Sequence, residues 1–329
     1  MNEIAPSKFG CVSMVYRSQS LGCGIQIFQH HFAHYLRRRG FSVGHCNVAK
    51  SGIGEKAVTV LHYTPHMWAH HTDILEGVLD AAAPGLTVVV LHSIHAPHAR
   101  NYLSETRSPH LRRHLEAMDA VNAVVLSLST SCTATLESWG IGISRRTVTG
   151  MHPGLFVLPD RECGRSHYAF LGGVRRPKKD PDSELTRALL EACQRFDIDV
   201  WFHATNDADY PALNPDLPVW RRTTGVMDDE GWSAAIARAT VVLCPYHTRM
   251  QCVSGVMAEA VSAGTAVIAT AFPFAEELAS AYPDYVRVEN DLSLWPGLIG
   301  NVSYSSLKRP TFYSWDLLVR DFIRALRYA

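Results

Sequence analysis

Short apolar runs alternate with longer amphipathic stretches along most of the chain. Predominantly apolar runs, each with a single Thr or Ser, occupy positions 58–61, 86–91 and 123–128, whereas residues 25–39 carry apolar side chains at spacings of three and four. The first pattern is typical of strands buried on both faces, and the second is typical of a helix that packs through one side. The alternation predicts parallel sheets covered by helices on both faces, which is the α/β class.

The most detailed pattern covers residues 241–278. An apolar run stops before Pro245, a helix is predicted over 254–263, and a second apolar run follows at 266–269. Gly264 stands where helices commonly end in the left-handed conformation. The segment is predicted to be a strand, loop, helix and strand, and an ordinary crossover between parallel strands would share this pattern.

The start of this helix favours an anion. Residues 246–254 connect the carboxyl end of a strand to the amino end of the helix, where backbone N–H groups and the helix dipole attract a phosphate. Glu259 lies further inside the same helix. Its carboxylate can reach a neutral polyol such as a ribose while it stays clear of the anion.

Two other loops follow predicted strands and have compositions suited to phosphate. Gly22 and Gly24 lie between the first strand and the helix at 25–39, where glycine lets the backbone approach a ligand. The basic run 175–179 follows the predicted strand 168–174 and precedes another helix. Basic side chains at a helix start favour phosphate, but a tight glycine turn and a solvated basic turn would have the same sequences.

Histidines follow two of the predicted strands. His62, His66 and His92 fall just beyond apolar runs, at the edge of a parallel sheet where ligands bind. The histidines at 62, 66 and 70 and those at 92, 95 and 98 are spaced like metal ligands. Pro65 interrupts the first set and Pro97 the second, and neither stretch contains Asp or Glu. We therefore predict no metal site. An ordinary hydrogen-bonded histidine at a strand end is the alternative for each of the three.

Composition limits the class of partner. Lys and Arg total 31 and Asp and Glu total 31, so no net field favours nucleic acid.

The eight cysteines are scattered without a C-x-x-C pair, which indicates reduced thiols rather than a disulfide framework. The first residues lack the pattern of a secretory signal, and no run of about 18 apolar residues occurs. We expect a soluble cytoplasmic protein with at most peripheral membrane contact.

Residues 241–278 resemble the donor-binding signature of family 4 of the retaining GT-B glycosyltransferases. In that signature a loop and helix carry two glutamates, followed by a small-residue turn and a strand of the type G-T-P-V-I-A. Glu259 matches the second glutamate, and residues 263–269 match the turn and strand. Gln251, eight residues before Glu259, stands at the position where the first glutamate is usual.

The resemblance implies a GT-B fold, which consists of two Rossmann-like domains with parallel sheets facing a central cleft. Residues 1–158 would form the N-terminal domain that holds the acceptor, and residues 168–310 would form the nucleotide-sugar donor domain. Residues 311–329 would form a helix that returns to the N-terminal domain. The polar segment between the domains is the expected linker.

The same resemblance implies the site residues. His92 would lie beside the donor sugar and the acceptor, Gln251 would contact the sugar, and Glu259 would hold the ribose. Cations and backbone N–H groups would stabilise the diphosphate, namely Lys178, Arg175 or Arg176, and the N–H groups of Gly22, Gly24, Val253, Ser254 and Gly255. Gly173 stands where arginine is usual, and Arg175 or Arg176 is expected to supply that charge.

The implied reaction is transfer of a sugar of the hexose type from a nucleotide-sugar to an acceptor hydroxyl, with retention of configuration and without a metal cofactor. The acceptor would be a carbohydrate, a lipid-linked group or a small molecule. One alternative is a nucleotide-sugar epimerase of the same architecture, which requires acid and base groups near the sugar. Another is a non-catalytic subunit that has lost the first glutamate.

Overall fold

The protein divides into two compact units in a computed structural model. One unit contains residues 1–152 and 314–329, and the other contains residues 153–313. The structure describes residues 11–16, 24–47, 58–68, 71–94, 109–140, 142–159, 168–174, 184–204, 221–246, 253–301 and 309–328. Each unit is built on its own six-stranded sheet.

Every strand pair in both sheets is parallel within the described part of the chain. The first sheet has the order β2-β1-β3-β4-β5-β6 and contains β1 (Cys11–Tyr16), β2 (Ser42–Asn47), β3 (Val58–Tyr63), β4 (Leu86–Leu91), β5 (Val124–Ser127) and β6 (Thr147–Thr149). The second has the order β12-β11-β10-β7-β8-β9 and contains β7 (Tyr168–Val174), β8 (Asp199–Ala204), β9 (Arg221–Thr224), β10 (Val241–Cys244), β11 (Ala266–Ala269) and β12 (Val286–Val288). The prediction of parallel α/β sheets is confirmed.

Helices lie between most of the strands. In the first unit they are α1 (Gly24–Arg38), α2 (Pro65–Trp68), α3 (Thr72–Ala82), α4 (Pro109–Ala120) and α5 (Thr130–Ser138). In the second unit they are α6 (Glu184–Arg195), α7 (Asp229–Arg238), α8 (Gly255–Ala263), α9 (Pro273–Ala281) and α10 (Trp295–Gly300). The last helix, α11 (Trp315–Ala325), belongs to the first unit, where Phe322 meets Phe32 of α1 with ring centroids 5.5 Å apart.

The boundary between the units falls after His152. It precedes the polar segment that the sequence analysis identified as the linker. Residues 153–159 belong to the second unit because their backbone is hydrogen-bonded into it, and the N–H of Leu155 donates to Oγ of Ser262 at 2.9 Å.

The strand order reverses once in each sheet. In the first sheet the chain places β2 on one side of β1 and β3 on the other, and in the second it places β8 and β9 on one side of β7 and β10 on the other. Ligands of doubly wound sheets bind beyond the carboxyl ends of the strands at such a reversal. The ends of β1 and β3, and of β7 and β10, are therefore the positions at which a ligand is expected.

Candidate functional site

Helix α8 begins at the strand reversal of the second unit, and both its ends are well formed. Ser254 caps the start, because its Oγ accepts a hydrogen bond from the N–H of Met257 at 3.4 Å. Gly264 ends the helix in the left-handed conformation, with a φ of 77°. A Cβ at Gly264 would lie 3.2 Å from the Cα of Arg309, so the backbone is closely packed there. The helix predicted over 254–263 and the glycine expected at its end are both confirmed.

The predicted backbone donors meet at the start of α8. Val253 and Ser254 precede the helix, and Gly255 is its first residue. The first N–H groups of a helix have no partner within the helix, and the helix dipole adds a partial positive charge. Residues 253–259 contain no basic side chain. The helix start itself thus favours an anion, and full positive charges have to come from other segments.

Tyr246 supports the helix start from the preceding loop. Its hydroxyl lies 2.6 Å from Oγ of Ser254, and its carbonyl accepts a hydrogen bond from Oγ1 of Thr270 at 2.8 Å. Burial raises the pKa of Tyr246 well above its ordinary value, so the hydroxyl stays protonated. The residue ties the end of β10 to the helix cap.

Glu259 is held by an indole from the neighbouring helix. Nε1 of Trp232 in α7 donates to Oε2 of Glu259 at 2.8 Å. The Trp232 ring packs against Phe170 and His203, with centroid distances of 5.5 and 5.8 Å. An aromatic cluster therefore sets the orientation of this carboxylate.

Gly173 gives a physical reason for one departure from the resembled pattern. The residue has a φ of 63°, a region that is costly for residues with a side chain. A Cβ here would lie 3.3 Å from Cγ2 of Val256 in α8. Arginine at this position would strain the end of β7 against the start of α8. The charge that is usual at this point therefore has to come from another residue.

His92 follows β4 in the first unit and is paired with a second histidine. Its Nε2 lies 2.9 Å from Nδ1 of His62, and its backbone N–H donates to the carbonyl of Tyr63 at 3.1 Å. Both side chains are buried, with 7% of His92 and 0% of His62 exposed. The structure thus brings together two of the three histidines that follow strands, whereas the side chain of His66 lies outside the described part.

Several of the predicted site residues lie outside the described ranges, namely Gly22, Arg175, Arg176, Lys178 and Gln251. Their roles stay predictions. Gly24 is described, and it is the first residue of α1.

Trp232 and Tyr246 are site residues that the sequence analysis did not identify. The sequence around Trp232 does not indicate its role, because its partner Glu259 lies in the next helix along the chain. The position of Tyr246 next to Pro245, just beyond a strand, was the one signal for that residue.

Metal-ligand clusters and membrane-spanning helices are absent from the described part of the chain. It contains no group of three or more His, Cys, Asp or Glu side chains arranged to hold an ion. Within the same residues, no helix combines the length and apolar character required to cross a bilayer. The cysteines described there are free thiols, namely Cys11, Cys132, Cys193 and Cys244.

Comparison with known proteins gives similarity in structure and none in sequence. No family model matches the chain, and no curated protein is significantly similar to it. WaaG, a glycosyltransferase involved in lipopolysaccharide biosynthesis, superposes with a TM-score of 0.55 at 16% identity, covering 96% of this chain and 90% of WaaG. The UDP-GlcNAc 2-epimerase from Methanocaldococcus jannaschii superposes with a TM-score of 0.56 at 11% identity, covering 97% and 99%.

A third solved structure, S. aureus MnaA with UDP, has a TM-score of 0.60 at 10% identity and covers 97% of this chain and 98% of MnaA. Some neighbours are longer, and the match spans 57% of the chain in the GtfA/B complex. At these identities the similarity establishes the fold and leaves the activity open. The protein has the GT-B fold, as its sequence predicted.

Proposed function

We propose that this protein is a glycosyltransferase that moves a sugar from a nucleotide-sugar donor to an acceptor hydroxyl. The observation that carries the proposal is the start of α8, where a helix capped by Ser254 and the carboxylate of Glu259 follow one buried strand. A helix start suits a diphosphate, and a carboxylate suits the hydroxyls of a ribose. The solved neighbours include a glycosyltransferase and a protein with bound UDP, which supports the same class of ligand.

We assign the reaction to the retaining type of family 4 on the match of Glu259 and residues 263–269 to its signature. The leaving diphosphate gains negative charge in the transition state, so fixed cations and N–H groups accelerate its departure. Lys178, with Arg175 or Arg176, would supply the cations, and the N–H groups before α8 would add to them. Retention predicts that the product keeps the anomeric configuration of the donor, which NMR of the product measures.

In the first unit, His92 is proposed to contact a sugar hydroxyl. It is the one predicted catalytic residue that the structure describes, and it stands at the carboxyl end of β4. The proposed acceptor is a carbohydrate, a lipid-linked group or a small molecule. His92→Asn should lower transfer while leaving the affinity for the nucleoside diphosphate unchanged, because a nucleoside diphosphate has no sugar beyond the phosphates.

Donor binding is the first test of the proposal. A nucleoside diphosphate at a tenfold excess over its dissociation constant should add about 1.4 kcal/mol to the free energy of unfolding. A thermal-shift panel of nucleoside diphosphates, with a chelator present, measures this stabilisation. Stabilisation that disappears in chelator would contradict the metal-free site, and a panel without any stabilising nucleotide would contradict the proposed function.

A nucleotide-sugar epimerase is the second candidate. The epimerase from M. jannaschii shares the fold over 97% of this chain, and His92, which is paired with His62, offers an imidazole, a group of the acid and base type. Incubation of a nucleotide-sugar without acceptor separates the two reactions. Formation of an isomer would favour the epimerase, whereas consumption of the donor that requires an added acceptor would favour the transferase.

A further inference from the structure

The buried pair of His62 and His92 at the carboxyl end of the first sheet is in contact with the sulfur of Met14. Nδ1 of His62 lies 2.9 Å from Nε2 of His92, and Nε2 of His62 lies 3.5 Å from Sδ of Met14. The His62 side chain is 0% exposed, so its ring nitrogens depend on partners within the protein. A buried polar atom without a partner is costly, and the proton positions should therefore satisfy both contacts.

One arrangement of protons satisfies both contacts. A neutral imidazole has one N–H and one acceptor nitrogen. With its proton on Nδ1, His62 would direct the Nε2 lone pair at the lone pairs of the Met14 sulfur. With its proton on Nε2, His62 donates to the sulfur, which is a weak acceptor, and its Nδ1 accepts the proton on Nε2 of His92.

The surroundings of His62 keep this ring neutral and in place. Burial, with a smaller contribution from the charge of His45, lowers the pKa of His62 to about 3. The carbonyl of His62 accepts a hydrogen bond from Nε1 of Trp68 at 3.4 Å. The Phe28 ring packs edge-on against both imidazoles, with centroid distances of 5.9 Å to His62 and 4.7 Å to His92. His62 is thus a packed, uncharged acceptor next to His92.

We propose that His62 is a positioning residue that holds the ring of His92 as its Nε2–H tautomer, which makes Nδ1 the acceptor nitrogen of that ring. This inference rests on the proposed function, in which His92 contacts the sugar. The contact between the rings also persists when His92 is protonated, because its Nε2 donates in both charge states. His62 acts on the substrate through His92 without touching it.

The proton position is measured directly on the ligand-free protein by nitrogen-15 NMR of labelled histidines. The expected result is a coupling across an N–H···N hydrogen bond between the two rings, with the proton on Nε2 of His92. The signals of His92 are assigned by their loss in His92→Asn. A proton found on Nδ1 of His62, or the absence of any coupling between the rings, would overturn the inference.

Three variants separate positioning from packing. His62→Leu removes the acceptor, His62→Asn keeps an acceptor oxygen on a short side chain, and Met14→Leu conserves volume while removing the sulfur. UDP-glucose and UDP are the probes, because the difference between their affinities reports the sugar contact. We expect His62→Leu to weaken UDP-glucose binding about tenfold and to leave UDP binding within about twofold. His62→Asn should restore most of the loss, and Met14→Leu should have an intermediate effect.

Other outcomes identify which statement fails. An equal loss of both probes in His62→Leu, without rescue by His62→Asn, would show that His62 only fills space and would overturn the inference. Wild-type protein that binds neither these probes nor any nucleotide of the panel would contradict the proposed function. The NMR measurement needs no ligand, so it decides the tautomer in that case as well.

Discussion

The carboxyl ends of the two sheets present different chemistry, although the strand order reverses once in each sheet. In the first unit, buried imidazoles of His62 and His92 pack against Phe28. In the second unit, the corresponding place holds a helix start and the carboxylate of Glu259. Neutral imidazole rings both donate and accept hydrogen bonds. In contrast, a helix start attracts anions, and a carboxylate accepts hydrogen bonds from hydroxyl groups. Shared topology determines where a ligand binds, and the side chains determine which part of it is recognised.

Acid should destabilise the first unit more than the second. Burial lowers the pKa of His62 to about 3 and of His114 to about 4 in the first unit, and the pKa of His203 to about 4 in the second. These rings are neutral in the folded protein and protonate near pH 6.5 in the unfolded chain. Their contribution to the free energy of unfolding is therefore complete above pH 6.5. This stabilisation is lost as the pH falls from 6.5 towards the pKa that each ring has in the folded protein. For His62 alone the loss reaches about 3 kcal/mol near about pH 4.5.

Hydrogen exchange measured separately on β3 and β10 reports the free energy of opening of each unit as the pH falls. His203→Gln is the control, because it removes a buried titrating histidine of the second unit and should leave the acid response of the first unchanged. Equal losses in both units, or stability independent of pH between about 6.5 and 4.5, would contradict the expected difference.

Lys178→Ala has the largest expected effect on activity, and the effect belongs to the second unit. Because negative charge on the leaving diphosphate grows in the transition state, the activation free energy should rise by at least about 2 kcal/mol, or about 30-fold in kcat. Donor affinity should change less. Steady-state kinetics measures both quantities. Lys179→Ala removes the same charge from the adjacent position and is the matched control, and an unchanged kcat in Lys178→Ala would rule out the assigned role.

Trp232→Phe tests the hold on Glu259 in the second unit. The change keeps an aromatic ring and removes the N–H that donates to Glu259 at 2.8 Å. The affinity for a nucleoside diphosphate should fall by about 1 kcal/mol, or about fivefold, and discrimination between ribose and deoxyribose should weaken with it. Titration calorimetry with a ribonucleoside diphosphate and with its deoxyribose counterpart measures the affinity and the discrimination.

The matched control for Trp232→Phe is Trp201→Phe. It removes an indole N–H that donates at 2.8 Å to Oγ1 of Thr223 rather than to Glu259. The control should leave the discrimination between ribose and deoxyribose unchanged. If the two variants have the same effect on that discrimination, the contact between Trp232 and Glu259 has no specific part in nucleotide binding.

Gln251→Glu has the smallest expected effect, a changed ranking of donors with little change in the best rate. An amide accepts through its carbonyl and donates through its NH₂, whereas a carboxylate only accepts. The natural chain should therefore prefer a sugar that presents an acceptor at this point, such as an amide or carboxylate substituent. Rates with a panel of nucleotide-sugars measure the ranking. An unchanged ranking would indicate neutral drift, and activity that appears only in the variant would indicate a non-catalytic subunit.

The sequence predicted the parts of the fold and the candidate site that depend on local signals. The apolar runs located the buried strands, and the predicted range 254–263 with Gly264 at its end located α8 and with it Glu259. Two contacts were beyond such reasoning, the pairing of Glu259 with Trp232 and that of His92 with His62. They join residues that are 27 and 30 positions apart, and helix packing and strand order decide whether such residues meet.

The first unit is assembled from two separated stretches of chain, and this affects the order in which the protein can fold during synthesis. Residues 153–313 form a continuous unit, whereas the first unit also requires α11. Trp315 and Phe322 of that helix pack on Phe28 and Phe32 of α1, with centroid distances of 5.0 and 5.5 Å. On the ribosome, the second unit can complete its core while this apolar surface of α1 is still uncovered. A nascent chain stalled before α11 therefore exposes a surface that chaperones bind and that promotes aggregation.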